Sequence, residues 1–409
     1  MQDPIHERAV GALLGQAIGD AIGCRYQYRS SEDIKDQIEA DKDMNGFLPI
    51  RGSAVFNFPP GMVNDRTEYC MLVARILSKR TLFKIQDLLE SMLRWKKSDP
   101  IEFQNSIFTV LGSLDFNENR NPVIDKLLKN EEELETFLSA NANHINKRSL
   151  SNMCLNIAVP TAIVTTRQSS TIVSGLVNRL TRITQPHPTA IDGVRVLTSA
   201  IRSLLMYGDT NRALETARMS GKSRTILEHL SNSAKCAHPQ EGDEVLREIR
   251  GEKELPVDYL GIALQIAFYN LRYAKSFEEG IINAILMGGD TAANASITGA
   301  LLGAKFGVSS IPEPWRRTVT EVKHERHSKF PDVYLGDAEE YYIFTIKNSN
   351  FFISNIEGEK NNHLTIIIKY ICVIILIFSK IHKKYQLKKE EKIRLNGCLI
   401  LLKLFLMCL

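Results

Sequence analysis

The chain has 409 residues, 44% of them hydrophobic and 24% charged, which is ample material for a globular core. Its formal net charge of +4 averages two unlike parts: residues 1–340 carry 40 basic and 43 acidic side chains, and residues 341–409 carry 11 and 4. A mildly acidic body gives no reason to expect nucleic-acid binding. Seven scattered cysteines without a C-x-x-C pair argue against a disulfide framework and against a zinc site.

The first residues, MQDPIHE, have no apolar segment of the secretory kind, so a reducing, cytoplasmic setting is the expectation. Apolar residues then recur with helical period over 7–22, 67–79, 84–96, 122–139, 169–182, 189–207, 210–219, 241–249, 257–274, 276–287 and 292–306. No stretch alternates cleanly enough for a strand. Helices of ordinary length with short links predict an all-α fold, a single orthogonal multi-helix domain over 1–340.

Two of these helices carry glycine every fourth residue: Gly11, Gly15, Gly19 and Gly23 in one, Gly299, Gly303 and Gly307 in the other, with Ala295 continuing the row. Residues four apart share a helix face, so each helix has a ridge almost without side chains. Glycine costs up to about 1 kcal/mol relative to alanine at each such position. Close helix–helix approach is the simplest reason to accept that cost. Asp20 and Asp290 lie near an end of each helix, where tight packing would hold them rigidly.

Residues 341–409 differ in kind, with no Ala, Pro, Asp or Trp. The run 364–379 is apolar except for Thr365 and Lys369 and is followed by Lys380-Ile-His-Lys-Lys384. Sixteen residues are too few for the roughly 20 that span a bilayer. The segment is read as a separate C-terminal tail, partly apolar and basic, and a candidate for disorder or for weak membrane association.

Polar clusters precede two helices. In Gly61-Met-Val-Asn-Asp-Arg-Thr-Glu68, Asn64 or Asp65 is a natural N-cap, and Gly288-Gly-Asp290 reads as a glycine turn that delivers an N-cap. Taken with Gly11-Ala-Leu-Leu-Gly-Gln-Ala-Ile-Gly-Asp-Ala-Ile-Gly23, Asn294-Ala-Ser-Ile-Thr-Gly-Ala-Leu-Leu-Gly-Ala304, Pro188-Thr-Ala-Ile-Asp-Gly-Val-Arg195 and Ile311-Pro-Glu-Pro-Trp315, these segments resemble the ADP-ribosylglycohydrolase family, of the dinitrogenase-reductase-activating glycohydrolase type, over roughly 6–320. The resemblance implies an all-α fold with a cleft for ADP-ribose or an ADP-ribosylated substrate. It also implies two Mg²⁺ ions that assist hydrolysis of the glycosidic bond between ADP-ribose and an acceptor.

Carried over position by position, the resemblance makes Asn64, Asp65 and Asp290 the metal-site residues, with Asp65 or Asp290 orienting or activating the attacking water. It places Asp20, Gln27, Ser151, Asn152, Gly288 and Gly289 at the ADP-ribose cleft. Several positions depart from the pattern. Arg66, Ala292 and Ala293 replace expected ligands, Gln27 stands for an acid, Met153 for a glycine, and Gln185 for a histidine, with His187 nearby. A unit charge about 4 Å away in a partly screened site interacts at about 4 kcal/mol, so a dication beside Arg66 would lose about 8. One metal or none is therefore expected, and hydrolysis is expected to be impaired. The alternative is a catalytically silent relative that binds ADP-ribose or another nucleotide, or acts as a scaffold. A salt link from Arg66 to Asp65 or Asp290 is the expected substitute for the missing cation.

Overall fold

The computed structural model describes residues 3–79, 83–98, 129–239 and 255–337, together with residues 100, 107, 110 and 111. The tail 341–409, the first part (122–128) of the helix expected over 122–139, and the helix expected over 241–249 lie outside the described residues. The fold is all-α. Among the described residues the only β-type pairings are two isolated bridges, Ser53 with Phe58 and Ser151 with Tyr259. No described helix is long and apolar enough to cross a membrane.

Helices α1 (Pro4–Gly23), α2 (Ser31–Asp41), α3 (Asp65–Lys79), α4 (Ile85–Lys97) and α5 (Glu131–Ile145) form the first part of the chain. A 3₁₀ turn at Asn152–Ile157 leads into α6 (Ala158–Val164), α7 (Ser170–Arg182), α8 (Pro188–Tyr207), α9 (Thr210–Ser220) and α10 (Arg224–Asn232). Then come α11 (Leu260–Tyr273), α12 (Phe277–Leu286), α13 (Thr291–Phe306), α14 (Glu313–Glu321) and α15 (Glu325–Lys329).

The expected helices are present within a few residues wherever the chain is described, with one change of boundary. Asn130 accepts from the backbone amides of Glu132 and Glu133 and so starts α5, which continues to Ile145 instead of stopping near 139. Periodicity alone misses α2, α6, α10, α14 and α15. In α2 only Ile34 and Ile38 mark the buried face among mostly charged neighbours. In α6 every residue is buried, so no polar face shows a period.

Helices α1 and α13 cross antiparallel at the centre, and the glycine rows are their contact. A Cβ at Gly11 would strike the carbonyl of Gly303, one at Gly15 the carbonyl of Gly299, and one at Gly19 the carbonyl of Ala295. The register ends with Gly23 against Thr291, whose hydroxyl donates to the Gly23 carbonyl at 2.8 Å. Gly307 departs from the ridge role: with φ of 82° it ends α13 as its C-cap, a conformation that L side chains rarely adopt. Because the helices run antiparallel, the last turn of α1 meets the first turn of α13. That geometry brings Asp20 and Asp290 to one end of the crossing.

Candidate functional site

Asn64 settles which residue caps α3: its Oδ1 accepts from the backbone amide of Arg66 at 3.0 Å, and Asp65 is the first helical residue. Asp20 reaches across from α1 to the same turn. Its Oδ2 accepts from the Asn64 amide at 3.1 Å and from the Thr67 hydroxyl at 2.6 Å, while Oδ1 accepts from the Cys24 thiol at 3.6 Å. Asp20 is therefore occupied in fixing the start of α3 onto α1. The Cys70 thiol nearby is pushed up, first by burial and then by the charge of Asp20, which keeps it in the unreactive thiol form.

Asp290 caps α13, accepting from the Ala293 amide at 3.3 Å. The paired glycines before it both have positive φ, 73° and 67°, and their turn grips the segment after α1. Tyr28 donates its amide to the Gly289 carbonyl at 2.8 Å, and Gly289 donates to the Arg29 carbonyl at 3.2 Å. This clasp sets Gln27 beside Asp290. The Gln27 amide nitrogen donates to Asp290 Oδ1 at 2.7 Å, and its carbonyl oxygen accepts from the Ala292 amide at 2.9 Å.

Arg66 is fully buried, and its side chain runs to Asp290. Nη2 donates to Asp290 Oδ1 at 3.0 Å and to Oδ2 at 2.8 Å, while Nη1 lies 3.6 Å from Asp65 Oδ1. One guanidinium thus links both carboxylates that the sequence assigned to catalysis and metal binding. From the 3₁₀ turn, Asn152 adds its amide nitrogen to Asp290 Oδ2 at 2.8 Å. Asp290 therefore receives five hydrogen bonds, from Gln27, Asn152, the Ala293 amide and twice from Arg66. A carboxylate offers about four lone-pair positions, so its acceptor capacity is full.

Ser151 and Asn152 are placed by backbone. Asn152 donates its amide to the Asp258 carbonyl at 2.7 Å, and Ser151 pairs with Tyr259. Gln185 supports them by donating to the Ser151 carbonyl at 2.9 Å, whereas His187 turns away to cap α8 through Nδ1. Asn152 Oδ1 is buried and has no hydrogen-bond partner in the structure. Met153 is buried where the resemblance expects a glycine.

Ala292 sits in a small apolar cluster with Cys24, Phe58 and Met62, flanked by Phe56 and Val322. Among the described residues, no three His, Cys, Asp or Glu side chains are grouped as a metal would require.

Three supporting residues escaped the sequence reading. Glu68, one turn into α3, is held by the buried Arg326 of α15 at 2.6 and 2.7 Å and by the Trp95 indole at 2.5 Å. This triad ties α3, α4 and α15 together close behind Arg66. The partners lie 258 and 27 residues away, beyond the reach of any local pattern.

The family model for ADP-ribosylglycohydrolase matches residues 1–342. The ADP-ribosyl-[dinitrogen reductase] glycohydrolase of Rhodospirillum rubrum is 22% identical over 311 residues, covering 76% of this chain and 90% of its own. An ADP-ribosylarginine hydrolase of Serratia proteamaculans is 22% identical over 342 residues, covering 82% and 81%. A solved chain from an ADP-ribosylglycohydrolase-related protein complex aligns with a TM-score of 0.56 at 20% identity, covering 84% of this chain and 99% of that one, a likeness of fold. The all-helical fold, the glycine crossing and the match over most of the chain agree: the protein belongs to the ADP-ribosylglycohydrolase family.

Proposed function

We propose that this chain is a member of its family that recognises ADP-ribose or an ADP-ribosylated group and no longer performs magnesium-assisted hydrolysis, the place of the cation being taken by Arg66. The observation that carries this reading is the saturation of Asp290 by five hydrogen bonds, two of them from a buried guanidinium. Mg²⁺ requires near-octahedral oxygen coordination. Here the Asn64 oxygen serves as a helix cap, the Asp290 oxygens are taken, and Ala292 and Ala293 offer no oxygen from their side chains. The residues present do not fit the metal. A divalent ion would supply a polarised, readily deprotonated water. Arginine, permanently protonated, supplies charge and hydrogen bonds but cannot activate water in that way.

Recognition is supported from the opposite side of the site. The relatives' names specify ADP-ribosyl substrates. Asn152 still presents a buried carbonyl oxygen with no partner, an arrangement suited to a hydroxyl donor such as a ribose. An unsatisfied buried acceptor costs about 1–3 kcal/mol, which a donor ligand would recover.

The test is calorimetric titration of the full chain with ADP-ribose, in Mg²⁺ and in EDTA, alongside a hydrolysis assay on ADP-ribosylarginine. The expected result is binding of equal strength in both buffers with no turnover. Binding or turnover that disappears in EDTA would overturn the proposal. Failure to bind in either buffer would remove its recognition half.

A further inference from the structure

A cavity of about 360 Å³ opens between α8, α9 and the loop that follows α6. It shares no residue with the Asp290 centre. Its volume lies within the range of roughly 300–1,000 Å³ typical of small-molecule sites. Three arginines line it, Arg167, Arg202 and Arg212, and no carboxylate does. The fully buried arginines of the fold, Arg66, Arg75 and Arg326, are by contrast each paired to an acid.

Arg202 forms the floor. Its Nε donates to the Thr165 carbonyl at 2.8 Å and its Nη2 to the Gln168 carbonyl at 2.6 Å, so neutral dipoles hold a charged group in place. Nη1 takes no part in these bonds. Burial lowers the Arg202 pKa from its ordinary value, and only Tyr207 opposes that effect. A cation desolvated without a counter-ion gains most when an anion arrives. Arg212 is fixed differently, its guanidinium stacked 3.3 Å from the centroid of the Tyr207 ring. Stacking and carbonyl contacts both restrict these side chains before any ligand binds, which reduces the ordering cost of binding.

The wall carries hydroxyls. Ser199 and Ser203, four residues apart on α8, are 6% and 5% exposed and line the cavity. Ser199 makes no hydrogen bond within the structure, and Ser203 only accepts one, from Thr216 at 3.5 Å. Both O–H groups are therefore left by the fold to face the cavity, where an acceptor oxygen can take them. Three cations and two available hydroxyl donors around one cavity suit a ligand rich in negative acceptor oxygens.

We propose that this cavity is a binding site for the dianionic phosphoryl group of a small phosphorylated ligand. The tetrahedral oxygens would take the fork of Arg212, the unused face of Arg202 and the Ser199 and Ser203 hydroxyls, with Arg167 closing the rim. Free inorganic phosphate and a nucleoside monophosphate such as AMP both present this chemistry.

The test titrates the full chain with inorganic phosphate and, separately, with AMP, at low ionic strength with a chloride control. Saturable binding of either probe that weakens at least about tenfold in Arg167→Gln/Arg212→Gln is expected. Both arginines are exposed and without ion pairs, so the fold should be retained. Ser199→Ala, which removes a hydroxyl and leaves all charges, should weaken binding as well, a result that nonspecific anion attraction would not give. Tighter binding of AMP would identify an ester as the source, and equal binding would identify free phosphate. Absence of saturation by both probes up to about 10 mM would overturn the proposal. Binding undiminished in the double variant would overturn it equally.

Discussion

Removing the Arg66 side chain should unmask how firmly the centre depends on it. Arg66→Ala leaves Asp290, 1% exposed, with Gln27, Asn152 and the Ala293 amide but without its balancing cation. Breaking one partner out of a buried pair costs about 3–5 kcal/mol, and the three remaining donors place this case near about 3. Unfolding entropy near 2.1 cal/mol/K per residue, taken over the 342 residues of the family match, is about 0.7 kcal/mol/K. The expected fall in Tm is then about 4 °C. Asp290→Asn keeps a capping side chain and should cost less, about 2 kcal/mol. The double variant removes both charges together, and its loss should be smaller than the sum of the singles by at least about 1.5 kcal/mol. Urea denaturation of the four proteins measures that coupling. Strictly additive losses, with coupling below about 0.5 kcal/mol, would refute the claim that Arg66 serves Asp290.

Other substitutions probe the rest of the fold. Gly19→Ala drives a methyl into the Ala295 carbonyl, where both sides are helix backbone, and should cost about 3 kcal/mol or more. Gly175→Ala, in α7 with nothing within 4 Å, should instead stabilise by about 0.4–1 kcal/mol, so the pair of melting curves separates crowding from propensity. Introducing carboxylates at the two altered positions, as Arg66→Asp/Ala292→Asp, should make the Tm rise with added Mg²⁺, by the equivalent of about 2.7 kcal/mol at a hundredfold excess over Kd. A folded double variant indifferent to Mg²⁺ would count against the substitution of cation by arginine. Asp41 is desolvated, but its bonds from Arg25 and Tyr26 outweigh that and hold its pKa below the usual carboxylate value. The folded state then binds fewer protons than the unfolded, so this stability is present above about pH 4 and is lost as pH falls through the lowered value. Asp41→Asn should flatten the acid limb of a urea-midpoint profile, and an unchanged limb would assign it to other carboxylates.

Much of the fold could be read from the sequence because its signals are local. Glycines four apart on two helices imply a crossing, and Asn64 and Asp290 ahead of apolar runs imply caps; all are present. The resemblance led to the expectation of a link from Arg66 to Asp65 or Asp290, and the hydrogen bonds go to Asp290, with Asp65 at 3.6 Å. The donors that complete Asp290 could not be read in this way. Gln27 and Asn152 lie 263 and 138 residues from it and reach it through a glycine clasp and a backbone bridge, neither of which leaves a period or motif. The cavity with three arginines was hidden for the same reason, since it joins one face of α8 to α9 and a loop.

Why an arginine, and why there? Asp290 is needed by the fold itself, as cap of α13 and anchor for Gln27. Loss of cations around it would leave a buried charge, so a chain that abandons metal must either neutralise Asp290 or supply a fixed positive group. Replacing it would sacrifice the cap, worth about 1 kcal/mol, and the hydrogen bond that Gln27 donates to it. Arg66 arrives from the adjoining helix at a position already inside the site, and its Nη2 alone reaches both Asp290 oxygens while Nη1 lies toward Asp65. A buried pair of this kind gives little net stability over apolar packing. Its effect is to preserve geometry: the crossing, the clasp and the Asn152 oxygen stay where a ligand would meet them. Under the proposed function, Arg66 would keep the electrostatic half of the family's centre without its water-activating half. Substrate-like ligands should then persist on the protein unhydrolysed, and their residence time, measured by dissociation of ADP-ribose in EDTA, should equal that in Mg²⁺.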